Sequence, residues 1–141
     1  MSICNPPYSP LWSSRMLSIL RIVSGLVFLS TGTMKMFGFP HIDYPMPPFS
    51  FTSQMGVGSM LEVFGGLAIV LGLCTRPIAF VLAGEMAVAY FQFHAPKSFF
   101  PTVNNGVSAV LYCFLFLYLA FAGPGAWSLD RVFCRSKNSD K

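Results

Sequence analysis

Gly56-Val57-Gly58-Ser59-Met60-Leu61-Glu62-Val63-Phe64-Gly65-Gly66-Leu67-Ala68-Ile69-Val70-Leu71-Gly72-Leu73 is an apolar, glycine-laced run with one charge near its middle. As a helix it spans roughly 27 Å, close to the ~30 Å hydrocarbon thickness of a bilayer. A carboxylate at that depth is costly without a partner or a proton, so chains keep one mainly where it lines a bundle interior. Glu62 is therefore a candidate site residue. The next apolar run holds a second carboxylate, Glu85.

The surrounding composition agrees with a lipid environment. Of 141 residues, 54% are hydrophobic and only 10% charged, where a soluble domain carries roughly 25% charged residues. The mean hydropathy is +0.61. The apolar residues gather in four blocks, which predict transmembrane helices at about 16–36, 55–73, 78–94 and 106–122, forming one domain. Residues 1–15 and 123–141 flank it. The first fourteen residues lack the basic start of a signal peptide, and the apolar stretch after Arg15 is too long for one, so it reads as a retained span. Prolines 40, 45, 47 and 48 exclude regular helix or a central strand from the 38–53 connection. Cys74-Thr75-Arg76 before Pro77 is short enough to force an antiparallel hairpin. The expected fold is an all-α integral membrane four-helix bundle.

Basic residues predict its orientation. Arg15, Arg21, Arg76, Arg131, Arg135, Lys137 and Lys141 fall on one side, Lys35 and Lys97 on the other. By the positive-inside rule both termini face the cytoplasm, in a cell (inner) membrane. The net charge of +4 arises from such flanking residues, not from a phosphate-tracking groove, so nucleic acid is not an expected partner. Cys4, Cys74, Cys113 and Cys134 form no CxxC pair and read as small hydrophobes or free thiols, with no metal site. Haem ligation needs two facing buried histidines, and His41 and His94 both fall near span ends. No phosphate-cradling glycine loop or nucleophile elbow is present.

Spacing sorts the polar residues. Arg21, Gly25, Phe28, Gly32 and Lys35 recur at intervals of 4, 3, 4 and 3, a single helix seam. Arg21 is expected to snorkel to the cytoplasmic surface. Gly58, Glu62, Gly65, Gly66, Ile69 and Gly72 make a small-residue face that lets backbones approach closely. Glu62 should then point at protein; the same glycines would alternatively serve contacts in a homo-oligomer. Helix rise puts Glu62 ~12 Å from the outer surface and Glu85 ~12 Å from the inner one. Either carboxyl suits proton handling, or hydrogen bonding to a quinone or another polar head; as plain structure, each is a strut between helices. Gln92, seven residues after Glu85, extends that stripe outward. Lys35, His94, Asn104 and Asn105 cluster at the outer boundary. Lys35 is the natural counter-charge to Glu62, yet the expected span ends set it ~12 Å shallower. A direct pair then needs a lowered first helix or intervening water. Asp130 is expected to cap a short amphipathic helix or to pair with Arg21 or Arg76.

An ordered set of fragments resembles the DoxX family of small four-helix membrane proteins. They are Leu20-Arg21-Ile22-Val23-Ser24-Gly25-Leu26-Val27-Phe28 with Gly32 and Lys35, Leu61-Glu62-Val63-Phe64-Gly65-Gly66, and Leu71-Gly72-Leu73-Cys74-Thr75-Arg76-Pro77. His94, Asn104-Asn105-Gly106 and Gly123-Pro124-Gly125-Ala126-Trp127-Ser128-Leu129-Asp130-Arg131 follow in order. The resemblance implies a membrane protein linked to redox work, as in subunits of quinone-reducing sulfur oxidation systems or of oxidoreductase complexes of thiol and oxidant defence. The 38–53 loop is longer than the family minimum, and Glu85 stands outside the family's pattern. The leading expectation is a membrane subunit of a redox system, with no intrinsic cofactor; whether it is an enzyme is left open, and if it is, it is an accessory subunit of a quinone-linked oxidoreductase. Glu62 and Lys35 would form its polar site for a quinone or similar amphiphile, with His94 and Asn105 at the entrance and Asn104, Glu85 and Gln92 as further ligand contacts. Its partners are the bilayer and other membrane or redox proteins. The rival expectations are a non-catalytic anchor for a larger complex and a small-solute or proton carrier.

Overall fold

The computed structural model describes residues 10–41 and 49–137, with side chains described as far as Phe133. The segment 1–9, Cys4 within it, Pro45, Pro47 and Pro48 of the long connection, and Lys141 lie outside these residues, as do the side chains of Cys134, Arg135 and Lys137. The described residues are helical, with no strand among them. Helix α1 covers Pro10–Phe37, α2 Gln54–Leu71, α3 Thr75–Ala89, α4 Val107–Ala122 and α5 Leu129–Lys137. A π-helical turn, Tyr90–His94, continues α3.

The local sequence explains the ends of these helices. Pro10 suits a first helical position, where its missing N–H costs nothing. From there α1 runs 28 residues, about 42 Å, longer than a hydrocarbon core. Its first turns therefore project beyond the core, where the Arg15 guanidinium sits over the Trp12 ring at 5.4 Å, a pairing suited to the membrane–water boundary. Ser53 caps α2 by accepting the Gly56 N–H at 3.0 Å. At the other end Gly72 turns left-handed with φ 70°. The Leu73 and Gly72 N–H groups then return to Ala68 and Ile69 O at 3.0 and 3.1 Å, the double bond of a glycine-terminated helix.

Helices α1 and α2 are long and apolar enough to cross a membrane; α4 is a shorter apolar helix of 16 residues. The broadest contacts join α1 to α2 and α3 to α4, while α2 meets α3 over a narrower zone. Phe28, Ile69, Leu82, Met86, Phe116 and Leu119 form the core. Phe28 of α1 meets Phe116 of α4 edge-on at 4.8 Å, tying the two pairs together. Large apolar side chains such as Val23, Leu26, Phe64, Phe80, Leu111 and Phe114 face outward on α1 to α4. In water such a surface would drive aggregation; against lipid tails it is the solvated surface.

The α1–α2 seam is set by glycine. A Cβ on Gly25 would meet Val70 backbone N at 3.0 Å, one on Gly66 would meet Leu29 Cα at 3.0 Å, and one on Gly32 would meet Val63 N at 2.8 Å. Each step forward along α1 is thus matched by one step back along α2, an antiparallel register with the backbones nearly touching. Gly25, Gly32 and Gly66 serve this contact within the chain.

Arg21 departs from expectation. It does not snorkel to the surface but is buried, 1% exposed. Its guanidinium donates to Val70 O at 2.8 Å and Pro124 O at 2.9 Å, and also to Ile69 O and Trp127 O. Two of these acceptors are carbonyls of the last turn of α2, where intrahelical partners run out and negative dipole accumulates. The segment from Gly123 to Asp130 closes over the same end. Trp127 N–H donates to Ser18 Oγ at 3.0 Å, Ala126 N–H to Ser14 O at 3.2 Å and Asp130 N–H to Gly72 O at 2.9 Å. The Asp130 carboxylate takes the Cys74 and Thr75 N–H groups at 2.6 and 2.8 Å. It caps the start of α3, where the helix dipole favours an anion, and makes no ion pair with Arg21 or Arg76.

A cavity around Lys35, Glu62 and Glu85

At the end of the molecule opposite this clasp, α1, α2, α3, the π turn and α4 enclose a cavity of about 750 Å³. Its walls are mostly apolar, and its charged members are Lys35, Glu62 and Glu85. Lys35 Nζ lies 2.5 Å from Glu62 Oε1, a direct ion pair. The expected 12 Å offset in depth is therefore wrong. The seam register sets Lys35 level with Met60, two residues or ~3 Å from the level of Glu62. The offset came from assuming that α1 and α2 end at one height; instead the first turn of α2 overhangs the end of α1. Helix side chains also lean toward the N-terminus, which carries the lysine down toward the carboxylate.

Glu62 is 3% exposed and points at protein, as its small-residue face requires. Only Oε1 is taken; Oε2 is buried with no hydrogen-bond partner among the described residues. Glu85 Oε2 is in the same condition. Its Oε1 stands 3.2 Å from where a Cβ on Gly58 would sit, so the carboxyl reaches from α3 toward α2, and Gly58 leaves the room for it. The carboxyls of Glu62 and Glu85 thus come to one cavity from two helices.

The remaining expected residues divide. His94 lines the cavity, with Nδ1 3.0 Å from Asn104 O, which orients the ring. Asn104 is buried behind it and does not line the cavity. Its Nδ2 donates to Ser98 O at 2.6 Å and its Oδ1 accepts the Gly106 N–H at 2.7 Å, so it fastens the loop that opens α4. Asn105 is exposed, with a left-handed φ of 58° that asparagine tolerates, and it too lies off the cavity. Gln92 does not continue the Glu85 stripe inside the cavity. It is exposed and accepts a hydrogen bond from Gln54, which does line the cavity. The π turn is the reason: the Ala95 N–H bonds Tyr90 O at 2.9 Å, five residues back. That extra residue per turn advances the face and brings Phe93 and His94 inward instead. His41 is exposed and apart from the cavity.

Sequence reasoning passed over Thr31, Gln54, Ser108 and Tyr112, all of which line the cavity. A signal existed for three of them. Thr31 stands four residues before Lys35, and Ser108 four before Tyr112, so each pair occupies one face of an apolar helix.

Chemically the cavity offers an ion-paired carboxylate with a free oxygen, a second carboxyl, an imidazole and hydroxyls at the bottom of an apolar pocket. Val57, Leu61, Val81 and Val88 line it and are also exposed, so its mouth lies between α2 and α3, on an apolar outward face of the molecule. Cys74 and Cys113 are free thiols, and neither lines the cavity.

Fold, surface and cavity describe an all-helical membrane protein with a buried charged site. The DoxX family profile matches residues 16–95. A Haemophilus influenzae protein described as uncharacterized is 40% identical over 128 residues, covering 83% of this chain and 90% of its own length. Two Escherichia coli proteins, the inner membrane proteins YqjF and YphA, are 31% and 32% identical over 121 and 128 residues. These alignments cover 81% and 82% of this chain, and 88% and 89% of the relatives. No solved structure matches. The chain belongs to the DoxX family.

Proposed function

We propose that this protein is a four-span subunit of an inner-membrane redox system, and that its cavity receives the polar head of a quinone or similar amphiphile. The observation that carries this is Glu62 Oε2. It is a buried carboxylate oxygen with no protein partner among the described residues, at the wall of a cavity whose mouth faces lipid. A buried polar atom of this kind normally has a partner, and a ligand head group would supply it. Lys35 holds the carboxylate in place and keeps N–H groups of its own for a carbonyl or hydroxyl oxygen. His94, Ser108 and Tyr112 offer further polar contacts, and the apolar walls suit a ring and its tail.

The membrane arrangement follows from charge. In this reading α3 with its π turn and α4 also cross, making a four-helix bundle with both termini cytoplasmic. Arg15, Arg76 and Arg131 then flank the clasp side, and Lys97 the cavity side. Electron transfer would belong to the complex that the subunit serves, with this chain holding the mobile carrier.

Titration of the purified full chain with a short-chain quinone, followed by calorimetry, tests the proposal. Saturable binding that weakens at least about tenfold in Glu62→Gln is expected, the scale of one lost charge-assisted hydrogen bond. Absence of binding, or equal binding by the variant, removes it and leaves the non-catalytic anchor.

A further inference from the structure

The cavity holds one acidic group more than its single basic side chain balances. Lys35 contributes one positive charge, and Glu62 and Glu85 are two acidic groups. Lys35 is committed to Glu62 at 2.5 Å, and that pair is neutral as a whole. Glu85 has no such partner: its Oε2 is buried and unbonded among the described residues, and its Oε1 points across toward Gly58. Glu62 Oε2, on a side chain 4% exposed in the cavity wall, is likewise buried and unbonded among the described residues. Among the other polar liners, Tyr112 and Ser108 are neutral hydroxyls, and His94 has Nδ1 against Asn104 O. Charges attract far more strongly in such a low-dielectric setting than in water.

We propose that the cavity binds lipophilic organic cations, an ammonium or phosphonium centre on an apolar body. The positive centre sits between Glu62 Oε2 and the Glu85 carboxyl, and the body lies along Val57, Leu61, Val81 and Val88 at the mouth. This rests on the reading of the cavity as an amphiphile site and extends its chemistry. The Lys35–Glu62 pair suits a neutral head, whereas Glu85 adds selection for positive charge. Shape alone would admit cations and anions equally; the Glu85 carboxyl, which can exchange a proton for a cation but not for an anion, would not.

Tetraphenylphosphonium and tetraphenylborate share a shape and differ in sign, which isolates that selection. Each would be dialysed to equilibrium against the full chain in nanodiscs of zwitterionic lipid, with empty nanodiscs as baseline. Saturable binding of the phosphonium, none of the borate, and at least about tenfold weaker phosphonium binding in Glu85→Gln are expected. Glu85→Asp, which keeps the charge, should bind within a few fold of the unsubstituted chain, and its melting point reports whether the fold survives. Equal binding of the two ions, or a phosphonium affinity unchanged in Glu85→Gln, overturns cation selection. If the short-chain quinone still binds in that case, the amphiphile site stands without it. If neither ion nor the quinone binds, both fall together.

Discussion

Lys35 and Glu62 form one unit, because the Glu62 carboxylate, on a side chain only 4% exposed, is costly as a charge without the lysine beside it. Breaking a buried pair from one side leaves an uncompensated charge and typically costs about 3–5 kcal/mol, whereas replacing both partners by apolar residues is often neutral. Lys35→Met should therefore lower the thermal midpoint of the purified protein markedly, and Lys35→Met with Glu62→Leu should recover most of it. Additive losses in the double variant would mean that the two residues do not act on each other. Glu62 was legible in the sequence because a charge inside an apolar run is conspicuous. Its pairing was not, since the distance to Lys35 depends on the relative height of two helices, and span ends do not give that height. Arg21 was misread for a different reason. Its acceptors are backbone carbonyls at Ile69, Val70, Pro124 and Trp127, and no side-chain pattern announces them.

Among the elements, glycine content separates into positions that join helices and positions that do not. A Cβ on Gly32 would lie 2.8 Å from both Glu62 Cβ and Val63 N, while one on Gly84 would meet nothing within 4 Å. Gly32→Ala must push α1 from α2 and should cost about 1–3 kcal/mol, loosening the Lys35–Glu62 pair with it. Gly84→Ala should be neutral or stabilising by up to about 1 kcal/mol, through helix propensity. Detergent melting curves compare the two, and equal effects would contradict the seam. Much of that seam was visible beforehand: Arg21, Gly25, Phe28 and Gly32 are all buried on α1, as their spacing implies. The π turn was invisible, because a reading at 3.6 residues per turn carries straight through Tyr90–His94 and lands on Gln92.

The whole molecule has two unlike ends. One is a closed clasp in which Arg21, Ser18, Gly72 and Asp130 bind the chain after α4 onto the α1 and α2–α3 ends. The other is the cavity, beside the Lys97 side. If the proposed orientation holds, with both termini cytoplasmic, a cysteine placed at Lys97 should react with a membrane-impermeant maleimide in intact cells. One placed at Arg131 should react only after permeabilisation, and the opposite pattern would invert the orientation. Composition and four apolar blocks announced a helical membrane chain, because burying backbone in lipid leaves few alternatives. The cavity needed three dimensions, since it is built from five segments that no local pattern connects.

The most direct measurement is site mapping with a photoreactive short-chain quinone on the full chain in membranes, followed by mass spectrometry of the labelled peptides. Labels should concentrate on residues 28–35, 54–62 and 81–94, compete with unlabelled quinone and fall away in Glu62→Gln. Labels spread over the outward lipid-facing surface, unaffected by competitor or by that substitution, would contradict a ligand site at Lys35 and Glu62.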